Sequence, residues 1–253
     1  MTTVLKLGGS VITDKGEPET IDRPALASTA AALGRADPGR LVVVHGGGSF
    51  GHHHADAHGV SSTASTREAA AVTAIHDAMG RLNAAVVAAL QEEGLSAVPV
   101  RPLSAAVKSD ADPTTSSESG RSLGLATRPV RALLTEGFVP VLHGDVVATP
   151  GAGCTVASGD TLVAALADRL AADRVGLCTT VPGVLDADGA VIEEIDGREA
   201  VADVLGDATG TDVTGGMAAK VETLLGIDSP ASIFGPDALS RFLETGTAGT
   251  VVR

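Results

Sequence analysis

Three of the chain's four lysines stand in or beside glycine-rich turns: Lys6 ahead of Gly8-Gly9-Ser10, Lys15 ahead of Gly16, and Lys220 after Gly215-Gly216. Lysine and arginine together number 18, so basic residues are mostly arginine and lysine is used sparingly. An ammonium is a compact point charge suited to phosphate oxygens. Successive glycines let backbone N–H groups converge on an anion with no Cβ in the way. Four elements of this kind occur: Gly8-Gly9-Ser10, Gly46-Gly47-Gly48-Ser49, Ser158-Gly159-Asp160 and Thr214-Gly215-Gly216. A single glycine turn is unremarkable, but four, three of them with a lysine or histidine, point to phosphate binding. Two separate sets of cradles suggest two phosphorylated ligands facing each other.

The stretch HGGGSFGHHHADAHG at 45–59 carries His52, His53, His54 and His58 beyond its glycines. Adjacent histidines seldom aim at one ion, and no cysteine or second ligand cluster supports them. A solvated loop is therefore expected for His53, His54 and His58, with no metal site. His45 and His143 each end an apolar run and precede glycine. Either they shape their loops by hydrogen bonding or they touch a ligand. Asp145 either helps arrange the site or caps a turn, and Lys108 reads as a surface charge. There is no G-x-x-x-x-G-K-[ST], and no G-x-G-x-x-G followed by an acidic residue at the dinucleotide-binding distance.

The elements that must position these residues alternate. Strands are expected at Val4–Leu7, Leu41–Val44, Ala97–Val100, Phe138–Leu142, Arg174–Cys178, Ala231–Phe234 and Thr250–Val252. Helices are expected at 23–33, 67–90 and 128–136, from Gly159 to Leu170 with Ser158 as N-cap, and from Gly215 to about Leu225. Asp188-Gly189 between apolar runs signals a hairpin. Residues 104–120 read as a polar surface loop or lid. Such alternation means an α/β fold, a largely parallel sheet covered on both faces, with ligands at the carboxyl ends of its strands. Gly8-Gly9, Gly46–Gly48 and Gly144-Asp145 follow strands directly and should gather on one edge. Val72, Ile75, His76 and Met79 share a face of helix 67–90, which periodicity alone assigns to core packing.

The chain has 253 residues and 44% apolar residues, enough for one large α/β unit. With no Trp, no Tyr and four Phe, it lacks base-stacking platforms. A net charge of −13 argues against nucleic acid and anionic membranes as partners and suits solubility at high salt. Cys154 and Cys178 lack metal-ligand spacing and read as incidental thiols of a reducing compartment. No leader or spanning run is visible, so a soluble cytoplasmic protein is expected.

KLGGSVITDK at 6–15, HGGGSFGH at 45–52, HGD at 143–145, SGDT at 158–161 and DVTGGMAAK at 212–220 occur in order over nearly the whole chain. This set resembles the amino acid kinase superfamily. HGGGSFGH, with TGGM and its following lysine, is most similar to the isopentenyl phosphate kinases of archaeal type; fosfomycin kinase shares the branch. The resemblance implies a three-layer α/β/α sandwich around a mainly parallel sheet and usually a homodimer. It implies an acceptor-binding lobe at 1–145 and an ATP-binding lobe at 146–253, together one continuous unit, with ATP as co-substrate and Mg²⁺ bridging its oxygens.

By the same resemblance, Lys6, Lys15 and Lys220 contact phosphates, and Gly8, Gly9 and Ser10 line the transferring phosphate. Gly47, Gly48, His52 and Gly159 meet the acceptor phosphate, and Asp160 holds the lysines. Thr179, Gly183, Gly216 and Met217 fall in the nucleotide half, and Met79 helps enclose a short prenyl chain. Many relatives carry T-D-V-D-G where this chain has Thr179-Thr180-Val181-Pro182-Gly183; both acidic positions are absent.

The implied function is ATP-dependent phosphorylation of isopentenyl phosphate to the diphosphate. Phosphoryl transfer needs positioning and electrostatic stabilisation, and a phosphate monoester, with a second pKa of about 6, needs no general base. His52 then serves as a hydrogen-bond donor to the acceptor. The alternatives are a kinase of another small anion, such as a fosfomycin-type phosphonate, or a non-catalytic nucleotide-binding protein.

Overall fold

The computed structural model describes residues 1–36, 39–108, 123–197 and 216–253. An eight-stranded sheet has the order β10-β12-β11-β9-β1-β2-β6-β3. Its members are β1 (Thr2–Leu7), β2 (Arg40–His45), β3 (Ala97–Pro99), β6 (Val139–His143), β9 (Arg174–Cys178), β10 (Glu194–Ile195), β11 (Ala231–Phe234) and β12 (Thr250–Val252). Every pair is parallel except β11 with β12. The seven strands expected from apolar runs are all present. A second, four-stranded sheet has the order β5-β4-β7-β8, from β4 (Ala106–Lys108), β5 (Leu123–Leu125), β7 (Asp145–Thr149) and β8 (Gly153–Ala157).

The large sheet sorts its side chains by the two-residue period of a strand. On β1 and β2, Val4, Val42 and Val44 enter one core with α6 (Thr127–Thr135), α7 (Gly159–Leu170) and α8 (Gly216–Leu224). Leu5, Leu7, Leu41 and Val43 face the other way, toward α2 (Arg23–Arg35), α4 (Ala69–Glu92) and α9 (Leu239–Thr245). Helices on both faces of a sheet make the three-layer α/β/α sandwich. Ser158 caps α7 by accepting from the Thr161 N–H at 3.1 Å, and Asp22 caps α2 by accepting from Ala25 at 3.0 Å.

Two regions depart from the expected pattern. Residues 104–108 are a helix end and a strand, α5 (Pro102–Ala105) running into β4, not the start of a loop. Residues 109–120 of that expected lid, and Thr214-Gly215, lie outside the described residues. The histidine-rich stretch is also not a loop: Gly48–Ala57 forms helix α3, packed on α4 through Phe50 and Met79. That apolar contact overrides the weak helix propensity of Gly and His.

The carboxyl ends of β1, β2, β6 and β9 are laced together where their glycine turns begin. Gly8 N–H donates to Cys178 O at 2.8 Å, Gly46 N–H to Leu7 O at 2.9 Å, and Gly144 N–H to His45 O at 3.1 Å. The first two glycine loops then touch backbone to backbone. A Cβ on Gly9 would stand 2.1 Å from Gly48 N, and one on Gly46 would stand 2.6 Å from Gly9 N. Gly48 itself has φ +49°, and a Cβ there would meet Thr13 Oγ1 at 2.1 Å.

Beneath these loops lie His45 and His143, fully buried, with ring centroids 5.4 Å apart. Each Nδ1–H donates to the carbonyl of the following glycine, at 3.0 Å for His45 and 2.9 Å for His143. The Asn83 amide donates to His45 Nε2 at 3.1 Å, so that nitrogen must be an acceptor and the ring neutral. Burial pushes His45 down to about 4, and burial together with the neighbouring His45 pushes His143 down to about 3.

Gly9→Ala should lower stability by about 2–3 kcal/mol in denaturant unfolding, because the added Cβ must push the backbone of the facing loop away. Gly197→Ala, where nothing lies within 4 Å of the added Cβ, should be near neutral. The histidines predict a pH response with a definite sign. Their folded pKa values lie below the unfolded value of about 6.5, so the unfolded chain binds more protons between them. Their contribution is complete above about pH 6.5 and is lost as pH falls toward 4. Asp145, held above the usual carboxylate range by burial, partly offsets this. His143→Asn should flatten the slope of unfolding free energy between pH 6.5 and 4.

Candidate active site

Gly8-Gly9, Gly46–Gly48, Gly144 and Gly159 converge at the carboxyl edge of the large sheet. Gly159, the first residue of α7, lies over the end of β1 and β2: a Cβ on it would stand 3.1 Å from Lys6 Cε and 3.5 Å from His45 O. A Cβ on Gly144 would stand 3.4 Å from Gly159 N. The Lys6 stem therefore passes so close to Gly159 that a side chain there would have to displace it by a few tenths of an ångström. The N-termini of α3 and α7 both open onto this edge, and each adds partial positive charge where an anion would sit.

Lys6, on β1, is 7% exposed and its ammonium meets Asp160 Oδ1 at 2.6 Å. Asp160 is in the first turn of α7, where the helix dipole also favours a carboxylate. Burial pulls the Asp160 pKa upward, but Lys6, then Lys220, outweigh it and hold the carboxyl below its ordinary range. Lys220 is thus within electrostatic reach of Asp160 from α8, and its ammonium also bonds Gly216 O at 3.4 Å. Lys6, Asp160 and Lys220, 214 residues apart at the extremes, form one charged cluster.

The other expected residues fall around this cluster. Gly8, Gly9 and Ser10 lead into α1 (Gly9–Ile12), and Gly47 and Gly48 open α3. His52 stands exposed one turn into α3. Lys15 is exposed at the tip of the segment that follows α1. Thr179 follows β9 and donates its hydroxyl to Val181 O at 3.0 Å. Gly183 is buried for a packing reason: a Cβ there would meet Val191 at 2.6 Å and Thr250 Oγ1 at 2.7 Å. Gly216 and Met217 begin α8, with Met217 against the core. Met79 is 1% exposed, its sulfur against Gly51 of α3, whereas Ile75 one turn earlier packs with Val60 and Val146 under the small sheet. The expected shared face of α4 is therefore divided between two apolar clusters.

Several polar contacts are longer in range than sequence spacing shows. His76 Nδ1 meets Asp145 Oδ2 at 2.8 Å, and Arg101 donates to His76 Nε2 at 2.9 Å. Asp145 thus ties α4 to the start of β7. Lys108 is half-buried and its ammonium holds Ser62 O at 2.6 Å, so it is an anchor and not a surface charge. His54 is no solvated bystander: its Nε2 meets Glu19 Oε1 at 2.5 Å. Among the described residues there is no group of three His, Cys, Asp or Glu side chains arranged to hold a metal, and no helix is long and apolar enough to cross a membrane. Both cysteines are free, and burial pushes Cys178 up to about 12, which keeps it inert.

The chain is similar to known proteins over nearly its whole length. The sequence profile of the amino acid kinase family matches residues 1–227. The isopentenyl phosphate kinase of Haloferax volcanii is 57% identical over 251 residues, which is 99% of this chain and 98% of that protein. Its counterpart in Methanothermobacter thermautotrophicus is 36% identical over 88% of this chain and 85% of its own length. An isopentenyl phosphate kinase of known X-ray structure superposes with a TM-score of 0.82 at 29% identity, covering 100% of both chains. The interlocked glycine turns, the Lys6–Asp160–Lys220 cluster and these similarities together place the chain in the amino acid kinase family.

Proposed function

We propose that the chain transfers the γ-phosphoryl group of ATP to isopentenyl phosphate, giving isopentenyl diphosphate and ADP. The observation that carries this is the charged cluster of Lys6, Asp160 and Lys220 at the edge where two glycine loops lock together. The 57% identity to the Haloferax enzyme supports the choice of acceptor.

The chemistry follows from the residues. The loose transition state spreads charge over the equatorial oxygens of the transferring group. Lys6 and Lys220 bracket the β- and γ-phosphates, with backbone N–H groups of Gly9 and Ser10 alongside and Gly8, whose own N–H is held by Cys178 O, setting the turn. Lys15 caps the γ-phosphate or the departing ADP. Asp160 orients the two buried-side lysines and takes no proton. Mg²⁺ entering with ATP would offset the charge on its phosphates. Thr179, Gly183, Gly216 and Met217 border the nucleotide. Gly47, Gly48 and Gly159 receive the acceptor phosphate, and His52 donates a hydrogen bond to it, helping two anions approach. Met79 backs the prenyl end of the acceptor site through Gly51. Residues 1–145 form the acceptor lobe and 146–253 the ATP lobe, and the enzyme works as a cytoplasmic homodimer.

A coupled ADP-release assay over a panel of acceptors tests this reading. Isopentenyl phosphate should stimulate release strongly, and fosfomycin, N-acetylglutamate and nucleoside monophosphates should not. Stimulation by fosfomycin instead would move the assignment to the phosphonate kinases, and no stimulation by any acceptor would favour a nucleotide-binding role. His52→Ala should cut turnover by about 10²-fold while leaving ATP affinity within about twofold. Met79→Ala should raise kcat/KM for longer prenyl phosphates relative to isopentenyl phosphate; an unchanged ratio would remove Met79 from the acceptor site.

A further inference from the structure

The segment between α1 and α2 is a short hairpin closed by an antiparallel bridge from Thr13 to Ile21, with Lys15 at its exposed tip. It lies on the first turn of α3. Glu19 N–H donates to Ser49 O at 3.2 Å. Thr20 N–H donates to the Ser49 hydroxyl at 3.2 Å, and that hydroxyl donates to Thr20 O at 3.2 Å. Ser49 N–H donates to Thr13 Oγ1 at 3.1 Å.

Glu19 has φ +51°, one of two non-glycine residues in the left-handed region among those described. A glutamate is held there only when its surroundings require it. The conformation aims the carboxylate at an imidazole and a guanidinium from two other elements. Glu19 Oε1 meets His54 Nε2 of α3 at 2.5 Å and Arg81 Nη2 of α4 at 2.6 Å. Arg81 first, then His54, hold this carboxyl below its ordinary range against a small opposing effect of burial. His54 is two residues beyond His52 on the same helix, and Lys15 is four residues before Glu19.

We propose that Glu19 is a positioning residue. Its carboxylate clasps the Lys15 hairpin to the acceptor helix and to α4, fixing Lys15 relative to His52 across the site. Glu19 touches no substrate in this account; it acts through the two groups it spaces. The clasp stands on the geometry, while its effect on catalysis rests on the kinase reading. Partly exposed ion pairs add little to global stability, but a displacement of about 1 Å at a reacting group can cost on the order of 100-fold in rate. Loss of the clasp should therefore show in the site long before it shows in the melt.

The test compares Glu19→Ala, Glu19→Gln and Glu19→Gly in the full-length protein. Glycine is the informative change, because it removes the carboxylate while relieving the left-handed backbone. Trypsin cleavage after Lys15 under native conditions should accelerate by about fivefold or more in the Ala and Gly variants, since local opening governs it. In the coupled assay, kcat/KM for isopentenyl phosphate should fall about tenfold while KM for ATP stays within about twofold. Gln, which still accepts from Arg81, should be intermediate in both. The melting midpoint of the Gly variant should stay within about 2 °C of the parent. Wild-type cleavage in Glu19→Gly overturns the clasp. Faster cleavage with wild-type kcat/KM overturns the positioning role, as does a midpoint lowered by more than about 5 °C, which would mark a general structural role. If the parent protein releases no ADP with isopentenyl phosphate, the kinase reading fails and the cleavage rates still decide the clasp.

Discussion

The site depends on one contact with no side chains in it. The turn after β1 and the turn after β2 meet through Gly9, Gly46 and Gly48, so closely that an added Cβ would fall 2.1 Å from a backbone nitrogen. Adjacent parallel strands lie about 4.8 Å apart, and turns leaving them normally diverge to make room for side chains. Glycine at these positions removes that requirement. Two sets of backbone N–H groups can then face one small volume, and the loop proposed to line the transferring phosphate lies against the loop proposed to receive the acceptor.

Charge is distributed to suit that volume. Lys6 is nearly buried, and a buried ammonium is costly unless paired. Asp160 meets that need at 2.6 Å while remaining coupled to Lys220. The imidazoles directly below, His45 and His143, are kept neutral by burial and by an amide that donates to one of them. Positive potential at the strand ends therefore comes from the lysines and the helix termini and not from the floor. The floor contributes shape: each imidazole fixes the carbonyl of the glycine that follows it.

Much of this was legible in the sequence because it is written locally. An apolar run ending in glycine gives a buried strand and its turn, and scarce lysines beside such turns mark the candidate anion site. The Ser158 cap follows from the same local chemistry. What escaped was set by distant partners. Helix α3 was not visible, since Gly48, Gly51 and three histidines are weak helix formers; it is held by Phe50 and Gly51 against Met79 of α4. The hairpin of β7 and β8 had a signal in Pro150-Gly151 between two short apolar runs, but the runs are brief and the turn is longer than the commonest two-residue connections. Glu19, His54 and Arg81 share no period or motif, so nothing short of the fold brings them together. Lys108 reads from sequence as a surface charge for the same reason, because Ser62, whose carbonyl it holds, is 46 residues away.

The central claim is that ATP and a phosphate monoester face each other across the locked glycine loops and that the phosphoryl group passes directly between them. The stereochemistry at phosphorus tests this most directly, using ATP whose γ-position is a thiophosphate made chiral with oxygen isotopes and isopentenyl phosphate as acceptor. A single in-line displacement predicts inversion of configuration in the diphosphate product. Retention would require two displacements, with the group resting first on a side chain such as His52, and would contradict the account.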